Sequence, residues 1–131
     1  MITPEQLAHN NTEHSHQAAL FCYAASSGIP ELKWLFAVPN GFYGSAAQKG
    51  KMKAEGLRNG VADIMLPVCR GSAYAGLFIE LKTADKRNRK NGGLSDEQIE
   101  FRQFVTGQCY KFVVCYSWIE ARDCILQYLG K

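Results

Sequence analysis

Apolar residues recur at helical spacing from about Thr12 to Ser26. Ala18, Ala19, Phe21, Cys22 and Ala25 form the stripe there, and Gly28-Ile29-Pro30 closes the segment. Ahead of it, Thr3-Pro4-Glu5-Gln6 has the features of a helix start: a threonine cap, proline in the first position, and glutamine three residues after the cap. "WLFAVPN" (34–40) is a short apolar run that predicts a strand closed by Pro39-Asn40-Gly41. Val61 to Val68 and Tyr74 to Lys82 predict two more strands, joined as a hairpin through "CRGSA". Leu94-Ser95-Asp96-Glu97-Gln98-Ile99 predicts a helix running to near Gly107, with Ser95 as cap, a reciprocal Gln98, acids in the first turn and a Leu94/Ile99 staple. "CYKFVVCY" (109–116) predicts a fourth strand. Ser117-Trp118-Ile119-Glu120 then predicts a second capping box, opening a helix to about Leu129 that Gly130 stops. Residues 41–59 are glycine-rich, basic and weakly periodic, and predict a loop with one or two helical turns; 83–93 predict a polar, basic loop. The order helix, strand, hairpin, helix, strand, helix predicts an α/β fold, a small sheet with helices packed on its faces.

Composition narrows the class. The 131 residues suffice for one domain, taken as 1–131, and 47% hydrophobic with 21% charged residues is ordinary for a globular chain. No run is long and apolar enough to cross a bilayer, so no membrane partner is expected. The polar start, "MITPEQLAHNNTEHSHQ", lacks an apolar signal core, which predicts an intracellular, cytoplasmic protein. Five cysteines, at 22, 69, 109, 115 and 124, include no CxxC pair; they are expected to be reduced thiols, mostly filling the core, rather than a zinc site. Net charge is only +3, yet residues 49–90 hold ten of the fifteen Lys and Arg and carry +6, against −3 for the remainder. That asymmetry fits a polyanionic partner, or simply a solvated basic surface.

Within the two hairpin strands, Asp63, Glu80 and Lys82 interrupt apolar runs, although an unpaired buried charge costs several kcal/mol or neutralises. Side chains alternate along a strand, so Glu80 and Lys82 share a face, their Cα atoms roughly 6.6 Å apart. Leu77, Ile79 and Leu81 point the other way, into a core, as do Ala62, Ile64 and Leu66 on the strand that carries Asp63. Two carboxylates and an amine can thus converge on one face of the sheet. Paired carboxylates are hard oxygen ligands for Mg²⁺ or Mn²⁺, and such a cation polarises a phosphoryl oxygen and lowers the pKa of a coordinated water. A lysine beside it can hold that water or offset developing charge. The plainer reading of the same pattern is a carboxylate–lysine ion pair on a solvated face.

The motifs, taken in order, resemble the VRR-NUC nucleases, a branch of the PD-(D/E)xK phosphodiesterases. "EHSHQ" is similar to the family's first-helix motif, with Glu13 and Gln17 a turn apart; "VPNG" (38–41) to its Asn-containing turn; "GVADIML" to its GxPD motif, with Gly60 and Asp63; "LFIELK" to its ExK strand; and "LSDEQ" to the start of the next helix, with Gln98. The resemblance spans about Glu13 to Leu126, and departs from the family where Ala62 replaces the proline of the PD motif. It implies a restriction-endonuclease-like central mixed β-sheet flanked by α-helices, and a metal-dependent DNA endonuclease using Mg²⁺ or Mn²⁺. Small members of the kind, often phage-encoded, resemble Holliday-junction resolvases, so branched DNA and a homodimer are implied too. It further implies that Asp63, Glu80 and the Leu81 carbonyl hold the metal, and that Glu13, Lys82 and Gln98 join the catalytic group.

Several of these residues have a second explanation. Glu13 could serve only the helix dipole, and Gln98 only its capping box. Gln17 could be an ordinary polar helix position. Lys49, Lys51, Lys53 and Arg58, and likewise Lys86, Arg87, Arg89 and Lys90, could grip phosphates or be solvated. His9, His14 and His16 are expected on the surface, and Trp34 and Trp118 in the core or an interface. The competing function is a DNA-binding module with a nuclease fold and no turnover.

Overall fold

Local capping signals set most of the helices. The computed structural model describes residues 1–39 and 44–131. Thr3 and Gln6 form a capping box at α1 (Pro4–Leu7). Thr12 caps α2 (Glu13–Ser26), its box closed by Ser15. Ser45 and Gln48 open α3 (Ala46–Ala54), and Ser95 and Gln98 open α4 (Asp96–Gly107). Ser117 caps α5 (Trp118–Leu129), and Gly130 ends it in the left-handed conformation. Here the predicted box is only half present. Ser117 accepts from the Glu120 N–H, but Glu120 turns its carboxylate to the Tyr116 N–H and to Arg87.

The strands are β1 (Phe36–Ala37), β2 (Ile64–Leu66), β3 (Leu77–Leu81) and β4 (Lys111–Cys115), arranged in that order across one sheet. β1–β2 and β2–β3 are antiparallel, with Ile64 opposite Ile79; β3–β4 are parallel, with Leu81 opposite Cys115, joined by the crossover through α4. The sheet is therefore mixed and flanked by helices, as expected. α2 and α5 pack together on one face, over Ile64, Leu66, Leu77, Ile79 and Leu81, all of them buried. α4 covers the other face through Phe101, edge-on to Phe78 with ring centroids 5.1 Å apart. No described helix is long and apolar enough to cross a membrane.

Several expectations need correction. Residues 46–54 form a continuous helix, α3, rather than a loop with a turn or two. The predicted first strand shrinks to two residues, because Pro30–Trp34 wind into a 3₁₀ turn; Asn40 and Gly41 of the predicted closing turn lie outside the described residues. β2 and β3 are shorter than their apolar runs. Pro67 has no N–H to extend β2, and at its other end a side chain takes over the ladder. Among the cysteines only Cys115 is buried; Cys22 and Cys124 are half-buried, Cys69 and Cys109 exposed, and all five are free thiols. Trp118 is a core residue, whereas Trp34 stands 63% exposed.

Candidate metal and phosphodiester site

Asp63 lies one residue before β2, where the β2–β3 ladder ends. Its backbone carbonyl accepts from the Val38 N–H (2.7 Å), and its carboxylate Oδ2 accepts from the Leu81 N–H (2.8 Å). The side chain thereby replaces the missing rung and is pinned beside the end of β3. The preceding loop makes this approach possible. Gly60 has φ +86°, and a Cβ there would lie 2.6 Å from the Glu97 backbone at the start of α4. Only glycine meets both demands.

Glu80 and Lys82 share the α4 face, as strand parity predicts, and both are buried (2% and 8% exposed). Lys82 Nζ is 3.9 Å from Glu80 Oε2 and donates to Gln98 Oε1 at 3.0 Å. Gln98 Nε2 donates to Glu80 Oε2 at 3.3 Å, while Gln98 Oε1 also accepts from the Ser95 N–H at 2.9 Å. The two explanations for Gln98 are therefore both true: one amide caps α4 and bridges the buried acid and base. With Oε1 occupied by two donors, Nε2 is left to face the carboxylate.

Burial, and next the adjacent Asp63 carboxylate, push Glu80 up to about 9; Lys82 opposes this and Glu13 adds to it. Glu80 Oε1 is buried without a hydrogen-bond donor among the described residues. The Asp63 carboxylate beside it favours the protonated form of Glu80, because two acids brought together resist ionising both. A divalent ion fits this donor set. Mg²⁺ commonly takes one or two carboxylates and completes its shell with water and substrate phosphate. Among the described residues no group of three His, Cys, Asp or Glu side chains gathers to enclose an ion. Glu13, at the first turn of α2, is close enough to act on Glu80 electrostatically, but its carboxylate lies 3.6 Å from Lys86 Nζ. Gln17 lines a cavity of about 200 Å³ with His14, Ala18, Phe21 and Ala37.

The basic residues divide into two groups. Lys49, Lys51 and Lys53 on α3, and Arg58 after it, are exposed, and none pairs with a carboxylate among the described residues. In the 83–93 loop, by contrast, Lys86 pairs with Glu13, Arg87 with Glu120 and Arg89 with Asp85 (3.3 Å). Arg87 also stacks over Tyr116, 4.5 Å from the ring centre, and Tyr116 Oη donates to the Gly92 carbonyl. Lys90 is exposed, without such a partner among the described residues.

His16 contradicts its expected place on the surface. It is 7% exposed; Nδ1 accepts from the Trp118 N–H (3.0 Å), and Nε2 bonds Asn11 Oδ1 (2.7 Å). The first bond requires a bare Nδ1, so the ring is the neutral Nε2–H form and joins α2 to the start of α5. His9 and His14 are exposed.

No protein-family model matches the chain, and no curated protein does. Among solved structures, the chain is similar to a "VRR_NUC domain protein": 24% identity over 91% of this chain and 88% of that one, with a TM-score of 0.72. That likeness is one of fold. The α/β architecture deduced from the sequence is thus shared with a known structure, over nearly its whole length.

Proposed function

We propose that the chain is a divalent-metal-dependent endonuclease that hydrolyses phosphodiester bonds in DNA. The observation that carries this reading is the pair Asp63 and Glu80 at the end of β3, with a buried Glu80 oxygen that has no donor among the described residues and Lys82 alongside. The name of the structurally similar VRR_NUC protein supports it. Asp63 and Glu80 would hold Mg²⁺ or Mn²⁺, with the Leu81 carbonyl as the backbone oxygen beside them. When bound, the cation supplies Lewis-acid polarisation of a phosphoryl oxygen and acidifies a water.

The remaining work belongs to the chain. Lys82, held by Gln98, presents a fixed ammonium where negative charge develops on the phosphate. The Leu81 N–H keeps Asp63 in place, and Gln98 keeps Glu80 in place. Glu13, once released from Lys86, would accept a proton at the edge of the site. Lys49, Lys51, Lys53 and Arg58, together with Lys90, have no carboxylate partner among the described residues and would meet phosphates directly, while Lys86, Arg87 and Arg89 would exchange carboxylate partners to do so.

The substrate we propose is branched DNA such as a four-way junction, cut by a homodimer that presents two sites. Trp34, at the end of the 3₁₀ turn, and Phe36, on β1 at the edge of the described sheet, are large exposed apolar side chains that support a second copy. A purified sample tests the reading on junction, flap and linear duplex DNA with Mg²⁺, Mn²⁺ or EDTA. Metal-dependent cutting, fastest on the junction, is the expected result. It should be lost in Asp63→Asn and Glu80→Ala, with DNA binding retained. Tight, salt-sensitive binding with no cutting under any metal would leave the DNA-binding module instead. Sedimentation equilibrium should return twice the 14.6 kDa chain mass.

A further inference from the structure

We propose that Cys115 and Cys124 are a reversible redox modification site, closing an intramolecular disulfide that moves Lys82. Cys115 is the last residue of β4 and Cys124 lies on α5; their sulfurs are 3.7 Å apart, in hydrogen-bond contact. A disulfide needs about 2.05 Å, so the sulfurs must close by under 2 Å. Cys115 also touches the site through its backbone. Its carbonyl accepts the Lys82 N–H at 2.9 Å, and it sits opposite Leu81 in the parallel ladder. Pulling Cys115 toward α5 therefore pulls on Leu81, the last residue of β3, and on Lys82 just after it. Beyond it, Tyr116 is fixed by Glu120 and Gly92, which leaves little slack to absorb the movement.

The chemistry balances with a small-molecule disulfide as oxidant. Cys124, the half-buried partner, attacks the oxidant and releases one thiol, forming a mixed disulfide. Cys115 then attacks Cys124 Sγ and releases the second thiol. Two S–H bonds are lost and one S–S bond forms, while the oxidant is reduced to two thiols. Burial, and next the proximity of Cys124, push the Cys115 thiol far up, so this second step is the slow one.

The test uses the full reduced chain without metal or DNA, treated with oxidised glutathione and then alkylated. The expected product is a linked peptide pair holding Cys115 and Cys124, lighter by two hydrogens than the two reduced peptides together, reversible by dithiothreitol and absent in Cys124→Ser. Exposed Cys69 and Cys109 report that the oxidant acted. If they are fully derivatised while Cys115 remains a free thiol, the site is refuted. Oxidation should also shift the Lys82 amide resonance and its exchange rate, in the parent and not in Cys124→Ser. An unmoved Lys82 amide in a fully oxidised sample refutes the coupling. Neither readout depends on cleavage, so failure here is separate from failure of the nuclease reading. Where cleavage is measurable, displacement of Lys82 should slow it on the order of 10²-fold, and an unchanged rate would again refute the coupling.

Discussion

Gln98 does two jobs with one amide, and the two can be separated. Ser95→Ala removes the hydroxyl that accepts the Gln98 N–H, but leaves the Ser95 N–H that fixes the Gln98 side chain. Gln98→Ala removes that side chain together with its hydrogen bonds to Glu80 and Lys82. Each should lower stability by about 1 kcal/mol, measured by urea unfolding. Only Gln98→Ala should slow cleavage, by roughly 10²-fold; equal losses of rate would mean that the amide serves the helix alone. The sequence made Asp63, Glu80 and Lys82 legible because strand parity alone puts charges and apolar residues on opposite faces. It did not reveal that Asp63 would take the Leu81 N–H, since that bond depends on where the ladder ends. Nor did it reveal His16. A histidine in the polar first turn of a helix has no local mark of burial; the partner that buries it, Trp118, is 102 residues away.

At the scale of elements, the helical apolar stripe of α2, the capping residues of α4 and α5, and the apolar runs of β2 and β3 were enough to place those elements. α3 was read only as a helical turn or two within a loop because it buries none of its residues, so no apolar stripe marks it, although Ser45 and Gln48 spell its cap. Its exposure has a functional consequence. The α3 lysines pair with no carboxylate among the described residues, whereas three of the four cations in the 83–93 loop already have partners. Replacing Lys49, Lys51 and Lys53 with Gln should reduce the slope of log Kd against log salt by about 0.9 for each phosphate they neutralise. Arg87→Gln should change it less and instead loosen the loop. Fluorescence anisotropy across a salt series separates the two; a larger drop in slope for Arg87→Gln would make the loop the main DNA-binding element. The Gly60 loop depends on close approach rather than charge. Gly60→Ala meets both a positive φ and the Glu97 backbone, so it should cost more than about 1–3 kcal/mol and shift α4, with Gln98, away from Lys82. Retained stability with full cleavage would show that the loop can relax without disturbing the site.

Across the whole molecule, two buried titratable groups on different faces of the fold pull stability in opposite directions with pH. His16 is held below its usual 6.5 by burial, and protonation would set a second donor against the Trp118 N–H. The unfolded chain takes up that proton more readily, so stability is full above about 6.5 and falls as pH drops below it. Glu80 does the reverse. Its native carboxyl, raised from 4.5 to about 9, keeps its proton where the unfolded chain has lost it, so stability erodes as pH rises through that window. Above about 6.5 only the Glu80 limb remains. The metal-free chain should therefore melt at progressively lower temperature from about pH 6.5 to pH 9. Glu80→Gln should flatten that limb, leaving the acid limb of His16 intact. Mg²⁺ or Mn²⁺ should flatten it too, because a cation between Asp63 and Glu80 replaces the proton that alkaline solution removes. Differential scanning calorimetry over this range, with and without metal, reads both effects. A parent curve that is already flat would mean that the two carboxylates do not compete for a proton, and an alkaline limb that metal leaves untouched would mean that they share no cation.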